Sequence, residues 1–127
     1  MDIEIKILDG AKLEAKLGDY TINSDQPKDS GGTGTGPNPF EYFLASIGLC
    51  VGHYINAFCK QREIPANNIK IIEKISRNNE GNVVFLIEVK LPSDFPEKYK
   101  DTVLKAAEGC AVKKAIQSQP VFELKLI

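Results

Sequence analysis

The stretch that decides the fold runs from residue 36 to residue 59 and reads GPNPFEYFLASIGLCVGHYINAFC. Phe43, Ile47 and Cys50 recur at the three- and four-residue spacing of one helical face, and most residues between them are also apolar. A proline suits the first turn of a helix and disfavours helix in the residue before it. The pattern therefore predicts a core helix that begins at the prolines of this stretch and continues to Arg62, before Pro65.

Two glycines, Gly48 and Gly52, flank Cys50 within the predicted helix. Each costs about 1 kcal/mol of helix propensity relative to alanine, which a surface helix has no evident reason to accept. We interpret them as positions where another backbone approaches the helix closely. The cysteine between them, surrounded by apolar residues, is the starting point for the functional interpretation.

The overall composition is that of an ordinary soluble globular protein. The chain has 127 residues, of which 43% are hydrophobic and 26% charged, and its formal net charge is −1. This length predicts a single domain, residues 1–127, that buries a core without disulfides. Positive and negative residues are interspersed, so the charge pattern favours neither a nucleic acid nor an anionic membrane as a partner.

The N-terminal residues carry neither a basic region nor an apolar run, so the sequence predicts no secretion signal. We also expect the longest apolar stretch to be too short to span a bilayer, which favours a cytoplasmic location. The chain has three cysteines, and an odd number argues against a closed set of structural disulfides. The thiols are therefore either reactive or simply buried.

The segments around the central helix predict an α+β fold. Apolar and β-branched segments bounded by turn residues indicate strands, at residues 3–8, 11–17, 20–23, 69–75, 83–91 and 121–126. An amphipathic pattern predicts a second helix over 97–108, ended by Gly109, and a third helix that starts at Cys110. Strands, helix, strands, helices and a final strand follow one another in that order, without regular βαβ alternation.

Residues 25–36 are rich in glycine and proline and predict a loop that is mobile or covers a ligand. Neither of the glycine-rich phosphate-binding motifs is present, so we do not expect the loop to cradle a phosphate.

The cysteine spacing limits which thiols can pair. Cys50 and Cys59 are separated by about 13 Å along the predicted helix and lie on opposite faces, so only Cys110 could form a disulfide with either. Cys110 opens a predicted helix, where free amides and the helix dipole stabilise a thiolate. Cys50 lies deeper and needs a cation or hydrogen-bond donor to be reactive. The residues alone therefore favour Cys110 as the nucleophile.

Other interpretations of these residues remain open at this point. All three cysteines can be small buried apolar residues. His53, three residues after Cys50, either lowers the pKa of that thiol or has a structural role. Cys50, His53 and Cys110 could together bind a metal ion, although no fourth ligand and no Cys-x-x-Cys pair is present.

The segment GPNPFEYFLASIGLC at 36–50, with GCAVKK at 109–114, resembles the OsmC/Ohr family of osmotically inducible and organic hydroperoxide resistance proteins. The DQP and GG elements at 25–27 and 31–32 are similar to its OsmC-like branch, so the resemblance covers essentially the whole chain. It implies an α+β, OsmC-like homodimer in which antiparallel strands of two subunits wrap around two long central helices.

The resemblance also implies a thiol-dependent peroxidase, acting in antioxidant defence on organic hydroperoxides and also on hydrogen peroxide. In that scheme Cys50 attacks the peroxide and becomes a sulfenic acid, Cys110 condenses with it to a disulfide, and an external dithiol reductant restores both thiols. Glu41 and His53 are further candidate catalytic residues, whereas Cys59 is structural. No metal and no organic cofactor is expected.

Two positions differ from the peroxidases of the family, which carry a glutamate ten residues before the first cysteine and an arginine in an early strand. Here Phe40 occupies the glutamate position, Glu41 lies nine residues before Cys50, and no arginine precedes Cys50. Two alternatives follow: a non-enzymatic binding module with a thiol-lined apolar pocket, or a redox sensor. The candidates for the missing positive charge are Lys28, His53 and Lys60.

Overall fold

The long central helix, α1, spans Pro39–Gln61, as the prolines of this stretch predict. The computed structural model describes all 127 residues, which form two units, Met1–Ala45 and Ser46–Ile127. Helix α1 begins in the first unit and ends in the second. The single domain expected from the chain length stays a prediction.

The first unit contains a three-stranded antiparallel sheet in the order β1 (Ile3–Ile7), β2 (Leu13–Leu17) and β3 (Tyr20–Ser24). Gly10 lies in the turn between β1 and β2, where it has a φ of 62° that a residue with a side chain rarely adopts. The register places Ile5, Ala15 and Ile22 side by side across the sheet, so one face is apolar.

The loop after β3 is organised around the buried carboxylate of Asp25, which is 2% exposed. It accepts hydrogen bonds from the hydroxyls of Thr33 (2.6 Å) and Thr35 (2.9 Å) and from the backbone amides of Gln26, Thr33 and Thr35. These bonds, the Thr33 hydroxyl foremost, hold the pKa of Asp25 well below its usual range. The predicted loop is confirmed, and its ordered interior is a feature that the composition did not predict.

A reciprocal pair of hydrogen bonds fixes the start of α1. The side chain of Asn38 accepts from the backbone amide of Glu41 at 2.9 Å, and the carboxylate of Glu41 accepts from the backbone amide of Asn38 at 2.8 Å. This is a capping box, which satisfies two amides that the helix itself leaves free. Pro39 follows as the first helical residue, where its missing N–H costs nothing.

The second unit contains most of α1, a hairpin and two short helices. The hairpin consists of β4 (Lys70–Arg77) and β5 (Val83–Lys90), and it confirms the predicted strand pair. Helix α2 spans Lys100–Ala107, after a single 3-10 turn at Glu97–Tyr99, and α3 spans Ala111–Gln117. The buried core of this unit comes from α1, α2 and the segments beside them, namely Val51, Ile55, Phe58, Cys59, Phe95, Val103, Ala107 and Cys110.

The two helix glycines allow close packing, but the approaching atoms belong to side chains. A Cβ atom on Gly48 would lie 3.0 Å from the Glu73 carboxylate, and one on Gly52 would lie 3.3 Å from the Ile71 side chain. Both neighbours are on β4. The prediction of close approach is therefore confirmed, whereas the prediction that another backbone makes it is wrong.

Glu73 is a half-buried acid with one buried carboxylate oxygen, and it makes the stability of the protein depend on pH. Its Oε1 atom has no hydrogen-bond partner, and burial raises the pKa of the carboxyl, opposed by the amide of Gly48. The folded state therefore binds the proton more tightly than the unfolded state, whose pKa is about 4.3. Glu73 contributes stability below that pH, and the contribution is lost as pH rises through the folded pKa.

We expect Glu73→Gln to raise the free energy of unfolding at pH 7 by on the order of 1 kcal/mol, because a neutral amide costs less to bury than a carboxylate. The gain should disappear near pH 4, and urea denaturation between pH 4 and 8 measures it. The matched control is Glu88→Gln on β5, a half-exposed ion-pair partner of Lys74, which should change stability little. A gain in the free energy of unfolding that does not vary with pH would contradict the raised pKa of Glu73.

The predicted final strand at 121–126 is wrong, because residues 119–127 have no regular secondary structure. The alternating apolar pattern is present, yet Phe122, Leu124 and Leu126 are 91–103% exposed. A strand needs a neighbour for its backbone hydrogen bonds, and neither sheet of this chain pairs with the segment.

By length and composition α1 is long and apolar enough to cross a membrane, so the prediction that no stretch has that length is wrong. The core helix of a soluble protein meets the same criterion. Five side chains of α1 are buried within the chain: Ile47, Val51, Ile55, Phe58 and Cys59.

Candidate active site

The thiols of Cys50 and Cys110 are in hydrogen-bonding contact, although 60 residues separate them in the sequence. Cys50 lies in the middle of α1 and is half-buried, and Cys110 immediately precedes α3 and is fully buried. Both are free thiols. The structure therefore brings together the two cysteines that a disulfide-forming reaction requires.

Gly109 lets the turn between α2 and α3 approach α1. A Cβ atom at this position would lie 3.1 Å from two ring carbons of Tyr54, which follows Cys50 by one helical turn. The helix-ending glycine predicted from the sequence is confirmed, but its φ is not among the positive ones. Glycine is therefore required because a side chain would clash with Tyr54. The close packing of Gly109 on Tyr54 places the next residue, Cys110, near Cys50.

The environment of Cys50 favours its thiolate. The backbone amide of Val112 lowers the pKa of Cys50 most, burial opposes it, and the Cys110 thiol, the amide of Ala111 and the charge of Lys113 lower the pKa further. All the stabilising groups come from the start of α3. The sequence predicted amides at this helix start and assigned them to Cys110, whereas the structure divides them: those of Ala111 and Val112 act on Cys50, and that of Lys113 donates to Cys110.

Cys110 has a different set of contacts. Its Sγ atom accepts a hydrogen bond from the backbone amide of Lys113 at 3.4 Å, so it caps α3. Its side chain also makes a hydrogen bond that lowers the pKa of Cys50. The geometry therefore supports Cys50 as the attacking sulfur, in contrast to the preference for Cys110 drawn from the residues alone.

Cys59 lies apart from this pair, in the core cluster of the second unit, and is fully buried. Burial raises the pKa of its thiol, with partial opposition from the charge of Arg62. This environment suits a small apolar core residue.

The two further candidate residues have contacts of their own. The His53 ring is exposed and packs edge-on against Tyr54, with ring centroids 5.4 Å apart. Glu41 caps the first turn of α1. A catalytic role for His53 or Glu41 stays a prediction, whereas Lys113, which sequence reasoning missed, acts on Cys50.

No three His, Cys, Asp or Glu side chains are grouped so as to hold a metal ion, which argues against the metal site considered for Cys50, His53 and Cys110.

An apolar cavity of about 380 Å³ lies in the first unit beside the β1–β2–β3 sheet. Its lining includes Ile3, Ile5, Ile22 and Tyr42 and contains no cysteine. The thiol-lined pocket implied by the resemblance therefore stays a prediction.

Residues 32–125 match the family model described as OsmC-like protein. This protein belongs to the OsmC-like family. The match includes Cys50, Cys110 and Lys113, together with all of α1 and both hairpin strands of the second unit. The expected family is thereby confirmed. No curated protein sequence matches the chain.

Solved structures share the fold at low sequence identity. One is described as an osmotic stress induced and detoxification response protein from Psychrobacter arcticus 273-4, with a TM-score of 0.73 and 17% identity, covering 89% of this chain and 85% of that one. The OsmC-like protein from Mycoplasma pneumoniae has a TM-score of 0.68 and 17% identity, with 93% and 87% covered. An organic hydroperoxide resistance protein from Elizabethkingia anophelis has a TM-score of 0.59 and 21% identity, with 94% and 90% covered. The predicted OsmC-like α+β fold is confirmed.

Proposed function

We propose that this OsmC-like protein is a peroxidase that reduces organic hydroperoxides with two cysteines. The observation that carries the proposal is the contact between the thiols of Cys50 and Cys110, at a place where backbone amides of α3 lower the pKa of Cys50. Membership of the family and the hydroperoxide resistance named for relatives support the substrate class. Hydrogen peroxide is a further expected substrate.

The reaction proceeds in three balanced steps. The Cys50 thiolate attacks one peroxide oxygen and breaks the O–O bond, so that the sulfur is oxidised to a sulfenic acid and the other oxygen leaves as an alcohol after taking up a proton. The Cys110 sulfur then attacks the Cys50 sulfur, giving a disulfide and water. An external dithiol finally reduces the disulfide and is itself oxidised.

The arrangement of the two sulfurs supplies the geometry for the second step. Cys110 is already in hydrogen-bonding contact with the sulfur that it must attack, so little chain movement is needed. The amides of Ala111 and Val112 favour negative charge on Cys50 before the attack. A reducing cytoplasm, the proposed location, supplies dithiols.

We expect Cys50→Ser to lower consumption of cumene hydroperoxide with excess dithiol by at least about 100-fold, because a serine hydroxyl is not ionised at neutral pH. The measurement is peroxide loss over time, with Cys59→Ala as the control that should retain wild-type turnover. Equal turnover by wild type and Cys50→Ser would remove Cys50 from the mechanism.

The alternatives are a binding module and a redox sensor, and two observations favour them over the enzyme. Phe40 is 54% exposed at the position where family peroxidases carry a glutamate, and no arginine precedes Cys50. A binding module predicts a rise in melting temperature with an apolar ligand and no loss of peroxide. A sensor predicts a Cys50–Cys110 disulfide that dithiols reduce too slowly for turnover.

We also propose a homodimer, because the chain exposes apolar side chains that a monomer leaves in water. Ile5 and Ile7 of β1 are 58% and 84% exposed, and the alternating apolar segment at 121–126 has no partner strand. Light scattering should give twice the chain mass of 14.0 kDa, and a monomer at micromolar concentration would contradict this proposal.

A further inference from the structure

Helix α3 is the helix that the rest of the chain holds least firmly. It has seven residues, and none of its side chains is fully buried, whereas the similarly short α2 buries Val103 and Ala107. Residues 119–127, which follow α3, have no regular secondary structure. A helix of this length is not stable by itself in water, so contacts outside the helix must hold it. Among its side chains, Val112 packs against the core cluster.

The two sulfurs of the candidate site hold the N-terminus of α3. Cys110 Sγ accepts a hydrogen bond from the backbone amide of Lys113 at 3.4 Å and caps the helix. The amides of Ala111 and Val112 donate to the Cys50 sulfur. A helix leaves its first amides without partners of its own. The first three amides of α3 therefore all depend on sulfur atoms that the proposed reaction changes.

We propose that α3 is a redox-sensitive element, released at its N-terminus when Cys50 and Cys110 form a disulfide and restored when they are reduced. This inference rests on the proposed peroxidase function, in which the disulfide forms in every cycle. The two thiols lose two electrons and two protons, and the hydroperoxide takes them up as it becomes an alcohol and water.

Disulfide formation weakens the hydrogen bonds that hold α3. A disulfide carries no negative charge, so the amides of Ala111 and Val112 lose the charge-assisted part of their bonds to Cys50. The covalent bond also draws Cys110 Sγ closer to Cys50 than a hydrogen bond does, and away from the position in which it caps α3. The ring that the disulfide closes ends at Cys110, so it restrains the chain before α3 but not α3 itself.

Release of α3 gives a reductant access to the disulfide. The Cys110 sulfur belongs to a residue that is fully buried in the reduced protein and directly precedes α3. A dithiol must reach one of the two sulfurs to open the bond, and the rate of this exchange depends on access. The oxidised pair is therefore more open to the dithiol than the reduced structure alone indicates.

Amide hydrogen exchange before and after oxidation with diamide tests the proposal. Diamide takes two electrons and two protons from the thiol pair and becomes a hydrazine, so no hydroperoxide is needed, and peptide mass analysis identifies the disulfide. We expect the amides of residues 113–117 to exchange about three- to thirtyfold faster in the oxidised protein, the factor that corresponds to loss of a helix N-cap. The amides of α2, inside the ring, should exchange no faster.

The matched control is Cys110→Ser, which keeps a cap at the start of α3 but cannot form the disulfide. Its exchange in α3 should be the same with and without diamide. An increase in the variant as large as that in the wild type would mean that diamide, rather than the disulfide, loosens the helix, and would overturn the proposal.

Trypsin, which cleaves after lysine, provides a second readout. Lys113 and Lys114 lie in α3, whereas Lys105 lies in the last turn of α2. Oxidation should accelerate cleavage after Lys113 and Lys114 but not after Lys105, because a protease needs a locally unfolded segment. Exchange and cleavage in α3 that are equal or slower in the oxidised protein, or a Cys50–Cys110 pair that forms no disulfide, would overturn the proposal.

The use of diamide separates this inference from the proposed function. Faster exchange in α3 of the oxidised protein, without peroxide turnover, would refute the peroxidase alone. Peroxide turnover with unchanged exchange in α3 would refute the release of α3 alone.

Discussion

Cys110→Ser is expected to consume one equivalent of organic hydroperoxide per chain and then stop. Cys50 in this variant can still attack the O–O bond, but no second thiol is in contact to convert the sulfenic acid to a disulfide. Steady-state turnover with a dithiol should therefore fall by at least about 100-fold while the first turnover remains. Serine also accepts hydrogen bonds at a helix start, so it can replace the Cys110 sulfur as the cap of α3.

Rapid mixing with cumene hydroperoxide, followed by trapping with a sulfenic-acid reagent and mass analysis, measures this result. The label should appear on Cys50 in the variant and be nearly absent in the wild type, where the disulfide forms first. The two serine variants act as a pair, because Cys50→Ser should show neither the burst nor the label. Full turnover by Cys110→Ser would show that the external dithiol alone resolves the sulfenic acid.

Gly32→Ala is expected to destabilise the protein strongly, although the change adds one methyl group to a loop. A Cβ atom on Gly32 would overlap the Gln26 carbonyl group and lie 2.7 Å from the Asp25 carboxylate. Those atoms are backbone and a carboxylate held by five hydrogen bonds, so they cannot move aside without breaking the network. Overpacking of this kind costs about 1–3 kcal/mol or more.

The control for this prediction lies in the same loop. A Cβ atom on Gly36 would lie 3.5 Å from the Asn23 carbonyl, an ordinary contact distance, so Gly36→Ala should cost less than about 1 kcal/mol. Urea denaturation at pH 7 should give a clearly lower midpoint for Gly32→Ala than for Gly36→Ala. Equal midpoints would contradict the prediction, because they would mean that the loop around Asp25 rearranges with little loss of stability.

The sequence predicted best where neighbouring residues determine the structure. The start of α1 follows from the prolines at its N-terminus, and the hairpins follow from β-branched segments with glycine at their turns. The prediction of a final strand is wrong for a related reason. Its residues have the right local pattern, but strand formation depends on a neighbour, and the pattern does not say which strand that is.

The candidate site shows the same difference between features set by neighbouring residues and features set by residues distant in the sequence. Family resemblance singled out Cys50 and Cys110, yet the groups that act on Cys50 come from residues 60 or more positions away. Local reasoning assigned the amides of α3 to the cysteine that opens it, because the packing of α3 against α1 cannot be read from periodicity. Lys113 was missed for that reason, and so was the use of Gly109 to make room for Tyr54.

The contact between Cys50 and Cys110 has a thermal consequence as well as a chemical one. A bond between the two sulfurs would close a ring of about 60 residues, and removing that much freedom from the unfolded chain is worth about 4 kcal/mol. The oxidised protein would then melt at a higher temperature than the reduced protein. Each encounter with an oxidant would leave the molecule temporarily more resistant to heat, until a reductant opened the ring.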